Sequence, residues 1–445
     1  MKLVKLCIVL ILLFNSIAIL GSEETQIKKW SLSECLQYGL ENHPLIRISE
    51  SSITSENALL NQTRAYWDPK VDLHANWNHR KTYTSGVIDD VVDSTSESVG
   101  VNKVLYDSGQ NRFDVSSVKS LIKSAESRRE NTLLEVAAGI KKAFYAVQQA
   151  QALILVQEET LDGYQKHLAK VETYVEVGTK TPYDITRAKV DIANSQVELI
   201  SAKSQLKVAK ANLAKAIGLE AELDIADFEL AELPQFEAVR EDLKQEAFSR
   251  PELKSAGFEI DSADAKIMSL KRSLKPTIAA SADYSWSGTN TPLDRQWTAG
   301  VSLNWSLFDG ALTRSKVDGA KSQLVSAREN LRNLRLAVNT ELENALTSLK
   351  DALERHNATG VLVQQASESL SLAEGRYDAG VGNPIEINDA RVEYARARGN
   401  FVVAHFDSLI ASAEVERVAG RLPDEYKIQA MEPLKPAPEL SSGVK

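Results

Sequence analysis

A chain of 445 residues, 25% charged and 43% hydrophobic, is long enough for two or three ordinary domains and too apolar to be disordered throughout. Its formal net charge of -9 argues against nucleic acid as a partner. Beyond residue 21 Cys35 is the one remaining cysteine, which rules out an internal disulfide or a CxxC metal centre.

Residues 1–21 read as a secretory signal: Lys2 and Lys5, an apolar run from Leu6 to Phe14, then small Ser16, Ala18 and Gly21, with cleavage expected after Ala18 or Gly21. Removing it leaves 50 basic against 61 acidic residues. No later stretch approaches the roughly 18 apolar residues of a membrane helix. A membrane-crossing part of the mature chain must therefore be β-structure closed into a barrel, because unpaired backbone groups are too costly in lipid.

The rest of the chain is a duplication. Pro44 and Pro251 are 207 positions apart, as are Pro69 and Pro276; Asp107 and Asp309, Gly178 and Gly380, Pro182 and Pro384, and Gly218 and Gly420 are 202 apart. The spacing predicts a first repeat over 22–218, a link at 219–237, a second repeat over 238–421 and a Pro-rich, polar, disordered tail at 422–445. Each repeat reads as a short helix, a second helix (45–66; 252–273), a strand pair, a very long helix (108–175; 310–377), a Gly/Pro break and a further helix (182–218; 384–420). Strands are expected at about 69–80 and 96–106 and at about 277–287 and 297–308. The first copy's five extra residues are expected in a surface loop between its strands. Asp89, Asp90 and Asp93 fall there and read as solvated charge rather than ligands of a divalent ion.

The strands alternate. Ile278, Ala280, Ala282, Tyr284 and Trp286 share one face, as do Trp297, Ala299, Val301, Leu303, Trp305 and Leu307. The first copy gives Val71, Leu73, Ala75 and Trp77, and Lys103 interrupts its returning strand. This period of two suits strands with lipid on one side and water on the other, and Trp77, Trp286, Trp297 and Trp305 stand where an interfacial aromatic girdle would lie. A soluble sandwich edge has the same alternation, but two such hairpins at equivalent repeat positions behind a secretory signal favour the membrane. Four strands cannot close a barrel, so at least two copies must combine.

The helices carry seven-residue stripes: Leu133, Ile140, Val147, Ile154, Leu161, Leu168 and Val175 in one long helix, and Ile185, Ile192, Leu199, Leu206 and Leu213 in its successor. Leu342, Leu349, Val363 and Leu370, with Ala345, Ala352, Ala366 and Ala373 beside them, repeat the pattern in the second copy. Such heptads mark coiled-coil packing, which an ordinary soluble coiled coil would share. A helix of the long kind measures about 100 Å, close to the combined length of the two shorter ones in its repeat.

The duplication, the Phe308-Asp309-Gly310 junction, and Arg376-Tyr377-Asp378-Ala379-Gly380 leading to Pro384-Ile385-Glu386-Ile387-Asn388-Asp389-Ala390 together resemble the TolC family of outer-membrane efflux ducts, over nearly all of 30–421. The resemblance implies an α+β membrane protein in the outer membrane. Each chain would form one third of a homotrimer, a twelve-stranded transmembrane β-barrel continuous with a periplasmic α-helical barrel. Its implied partners are outer-membrane lipid, a periplasmic adaptor and an inner-membrane pump, with no cofactor. Glu386 and Asp389 match acidic residues that ring the periplasmic entrance, while Asn383-Pro384-Ile385-Glu386 equally reads as a capped helix start. Arg187 stands at the first-copy equivalent of Asp389, so the acidic pair is not duplicated. Tyr377 and Asp184 match positions that link neighbouring helix pairs at the tip, and a tip arginine of some members falls at Gly382. Val177-Gly178-Thr179 and Ala379-Gly380-Val381 match the turns where adaptors dock, although glycine also simply ends helices.

No Walker A loop, HExxH or GxSxG occurs, and His74 and His79 lack a third metal ligand. The expected function is a passive, tip-gated duct of an efflux or type I secretion system, without catalysis. The competing readings are a structural or adhesive trimer with a barrel anchor and a free-standing porin. The cargo (drugs, metal ions or secreted proteins) is left open.

Overall fold

The computed structural model describes residues 29–221, 223–226, 233, 240–289 and 293–421. The expected signal, much of the link and the tail lie outside the described residues. The elements are β1 (Lys29–Trp30), α1 (Leu32–Asn42), α2 (Pro44–Arg64), β2 (Lys70–Thr84), β3 (Val87–Tyr106), α3 (Gln110–Glu176) and α4 (Pro182–Ile217). They continue with β4 (Asp224–Ile225), α5 (Arg240–Ala247), α6 (Pro251–Arg272), β5 (Thr277–Gly288), β6 (Asp294–Asn304), α7 (Leu312–Asp378) and α8 (Pro384–Ala419). Helices α3 and α7 are 67 residues each, and α4 and α8 are 36 each.

The chain divides into two compact units. One comprises the described parts of Met1–His43, Val136–Phe236 and Leu346–Val415; the other those of Pro44–Glu135, Glu237–Ala345 and Glu416–Lys445.

The first unit is helical apart from the short parallel pair β1–β4. Leu133 just precedes it on α3, and Ile140 and Val147 within it are fully buried. On α4 the expected large stripe is corrected in part: Leu213 is fully buried, Ile185, Ile192, Leu199 and Leu206 are half-buried, and Ala188, Ser195 and Ala202 form a further buried seam. These residues also recur every seven positions, and their small side chains let the backbones close up while the larger ones flank the contact. In α7 the alanine row, Ala352, Ala366 and Ala373, is buried in the same way.

The second unit holds the four-stranded antiparallel sheet, ordered β2-β3-β5-β6. The loop expected over 81–95 is instead strand: β2 and β3 pair as far as Thr84 and Val87. Ser85 (φ 53°) and Gly86 (φ 82°) both adopt the left-handed conformation of a two-residue hairpin turn. The Ser, Thr and Asp content of this stretch mimics a loop, but the ladder is held by backbone bonds that need no apolar side chain. Asp89, Asp90 and Asp93 therefore lie in β3, and Asp93 pairs with His79 at 2.7 Å. In the other hairpin β6 starts earlier than expected, at Asp294, and ends at Asn304, so Trp305 to Phe308 lie outside the strand. Because Thr95 pairs with Gly288, the end of β5, the rungs from Asn78–Ser94 to Thr84–Val87 project beyond β5, by about 23 Å at 3.3 Å per residue.

The alternation survives as geometry. Val71, Leu73 and Trp77 share a face with Val101, Val99, Tyr284, Trp297 and Val301 through the register. That face is bare: Leu73 and Trp297 are each 75% exposed. Among the described residues no helix is long and apolar enough to cross a membrane.

Each hairpin passes directly into its long helix. Asp107 accepts hydrogen bonds from the amides of Gly109 and Asn111, and Asp309 from that of Thr313. The repeated aspartate of Leu-Tyr-Asp and Leu-Phe-Asp is thus a helix cap. At the other end of this unit Arg250, its side chain 2% exposed, contacts Glu341 and Glu252 at 3.0 Å each, and Arg417 also reaches Glu341 at 3.5 Å.

Candidate functional site

The two helical hairpins α3–α4 and α7–α8 end in paired turns within the first unit. Gly178 (φ 78°) and Gly380 (φ 77°) reverse the chain in a conformation that side chains disfavour. The next amides, of Thr179 and Val381, donate to the carbonyls of Tyr174 at 2.9 Å and Arg376 at 3.0 Å, closing both long helices in the same way. Val177 and Val381 point to solvent, 67% and 71% exposed.

The following helix starts diverge. Asp184 caps α4, accepting from the Thr181 amide and hydroxyl at 2.9 Å each. At α8 the amide of Ile385 donates to the Asn383 side chain, and Glu386 instead pairs with Arg376 at 3.1 Å. Asp389, three positions on, is exposed and has no ion pair among the described residues. Arg187 is half-buried and its charge favours ionised Asp191, against the burial that raises that carboxyl.

Tyr377 sits at the junction of the hairpins. It is 2% exposed and packs with Ala373, Ile387 and Ala390. Its ring meets His167 (5.6 Å between centres) and Tyr174 (6.2 Å), and the Lys180 ammonium lies 4.3 Å from its centre. Its hydroxyl has no hydrogen-bond partner among the described residues. Burial first, then the charges of Asp184 and others, pushes the phenol above its ordinary pKa. Tyr377 and Asp184 are thus electrostatic neighbours without a hydrogen bond.

The direct links between hairpins use other residues. Asp378 accepts from Lys170 at 3.3 Å and from the Tyr174 hydroxyl at 3.4 Å. Arg391, held at 2.7 Å by Glu374 of its own hairpin, bonds the Gly163 carbonyl at 3.2 Å, and Arg398 pairs with Glu159 at 2.9 Å. His167 lies among these charges; burial, then Arg391, lowers its pKa from 6.5 to about 4. Sequence reasoning missed Lys170, Tyr174, Lys180, Arg391 and His167, because their partners lie about 200 positions away and their spacing carries no signal. Gly382 leaves no room for the arginine that the resemblance implies at this position: a Cβ would stand 2.7 Å from the Tyr377 amide nitrogen.

Among the described residues no three His, Cys, Asp or Glu side chains gather for a metal. Burial holds the Cys35 thiol up at about 12, well away from thiolate chemistry.

An exposed apolar sheet face and long, duplicated helical hairpins are the features of an outer-membrane channel protein. The chain belongs to the outer membrane efflux protein family, whose model matches residues 36–219 and 243–421. Protein CyaE of Bordetella pertussis is 23% identical over 384 residues, 84% of this chain and 80% of that protein. The toluene efflux pump outer membrane protein TtgC of Pseudomonas putida is 22% identical over 413 residues, 88% and 83% of the two chains. The Campylobacter jejuni CmeC outer membrane channel has the same fold, with a TM-score of 0.74 at 16% identity, over 87% of this chain and 85% of that one. The protein is thus an outer-membrane duct with a periplasmic helical part, serving export.

Proposed function

We propose that three copies join their sheets into one twelve-stranded barrel above a helical duct gated at its hairpin tips. The observation that carries this reading is the sheet's pair of edges, on β2 and β6, which are free among the described residues. In lipid each unpaired edge group costs several kcal/mol, and four strands are too few to close on themselves. Trp286 and Trp297 stand toward the turn of the second hairpin and Trp77 near the same level of the sheet, and the three form the girdle. Trp305, eight residues from Trp297, lies about 26 Å along an extended chain, near the height of a barrel's apolar band.

At the tip, Asp389 and Glu386 line the entrance and favour cations. Asp389 carries more of this role, since Glu386 is engaged by Arg376. Tyr377, Asp184 and Arg187, with Lys170, Lys180 and Asp378, hold the hairpins together in the resting state. The exposed turns at Gly178, Thr179, Gly380 and Val381 receive a periplasmic adaptor, through which an inner-membrane pump supplies energy. The efflux-pump names of the relatives support this tripartite arrangement.

The test is disulfide cross-linking between single cysteines placed along β2 and β6, which are outermost strands of one sheet and meet only between copies. Bands rising to three chains, with ion conductance in planar bilayers, are expected. Cross-links that stop at two chains, or continue past three, refute the trimer.

A further inference from the structure

Two histidines away from the tip have no part in the duct. His405 on α8 is 4% exposed, and among the described residues neither of its ring nitrogens has a hydrogen-bond partner. His356 on α7 is half-buried, and its Nδ1 is likewise enclosed and unpartnered. The ring centres are 5.3 Å apart at an interplanar angle of 57°. Phe401 lies 4.7 Å from His356 and Phe406 5.2 Å from His405, centre to centre. A neutral imidazole carries one N–H donor and one lone pair, and each loses its hydration here without replacement. Unpaired buried polar atoms of this kind are where a bound water or ion is expected.

We propose that His356 and His405 bind one divalent transition-metal ion between α7 and α8. Imidazoles bound at about 2.0–2.1 Å, at a tetrahedral angle, set their ring centres about 5.2 Å apart, which the observed separation matches. Burial lowers the pKa of both rings, keeping them in the neutral form that a metal requires. Two protein ligands leave positions for water, which enters from the half-exposed side of His356. Imidazole donors suit Zn2+, Cu2+ or Ni2+ and disfavour Mg2+ and Ca2+, which take oxygen. The bound ion pins α7 to α8 beside the Arg355–Asp407 pair, which spans the same two helices at 3.4 Å. This site stands whether or not the proposed gate is correct.

Titrating the untagged full-length chain in detergent with Co2+ tests it. One ion per chain is expected, with the intense visible bands of a tetrahedral site, displaced by Zn2+ and unaffected by Mg2+. Zn2+ should also raise the thermal midpoint. His405→Phe and His356→Phe, each keeping an aromatic ring, should abolish both effects. His74→Asn with His79→Asn should retain them, since His79 is a surface residue already paired with Asp93. Absent bands, bands that survive both phenylalanine variants, or bands lost in the His74/His79 variant overturn the proposal. Circular dichroism checks each fold; should His405→Phe misfold, His356→Phe at the half-exposed position decides.

Discussion

Replacing Lys180 by alanine removes the half-buried ammonium 4.3 Å from the Tyr377 ring centre while leaving both backbone turns intact. A cation–π contact of this exposure contributes about 0.5–1 kcal/mol. In a trimer whose tip opens as one unit, three such losses sum to about 1.5–3 kcal/mol, a shift of about 10- to 150-fold between closed and open states. Single-channel recording in planar bilayers reads this as a longer open time at unchanged full conductance. Lys180→Arg should stay near wild type, since a guanidinium also stacks on an aromatic face. Asp378→Asn, which loses the Lys170 ion pair, should move the same way by a smaller amount, because both partners are largely exposed and such pairs contribute little. Unaltered gating in Lys180→Ala, with Asp378→Asn opening the channel, would remove the ring contact from the closing mechanism. Wild-type gating in both would refute the hairpin junction as the closed contact.

Other expectations concern charge and space. Arg250→Met leaves Glu252 without this partner and Glu341 with Arg417 alone; because both carboxylates are partly exposed, it should cost about 1–3 kcal/mol, read as a lower urea midpoint; an unchanged midpoint contradicts the clamp. His167 binds its proton less readily folded than unfolded, so its contribution is intact above pH 6.5 and is lost as pH falls toward about 4. The thermal midpoint should decline over that window, and His167→Phe should flatten the decline; an equal slope in the variant assigns the effect elsewhere. Gly382→Arg should loosen this tip and raise open time, because its Cβ collides with the Tyr377 backbone. A tighter closed state would show that the turn rearranges instead.

The helices were legible because their signals are local. Pro44, Pro182, Pro251 and Pro384 each begin a helix, and Gly178 and Gly380 reverse the chain just after α3 and α7. The repeat spacing then marked equivalent positions across the chain. The outer part of the first hairpin was illegible, since strand pairing between Asn78 and Val87 is written in backbone bonds and hidden by polar side chains. At the tip, sequence left Glu386 divided between helix cap and gate; its ion pair with Arg376 on the facing helix separates it from Asp184, which does cap. The Lys170–Asp378 link spans residues with no common pattern and becomes visible only when the hairpins are side by side.

The hairpin that outruns its neighbours also offers a handle. Ser85 and Gly86 form a two-residue reversal whose flanking strands are already paired down to the rest of the sheet. A short epitope grafted there would extend the loop at a cost that grows only slowly with length. With that end of the strands facing outward, intact cells would display the epitope to antibody, giving a surface label that reports assembly without touching the conduit's helical tip.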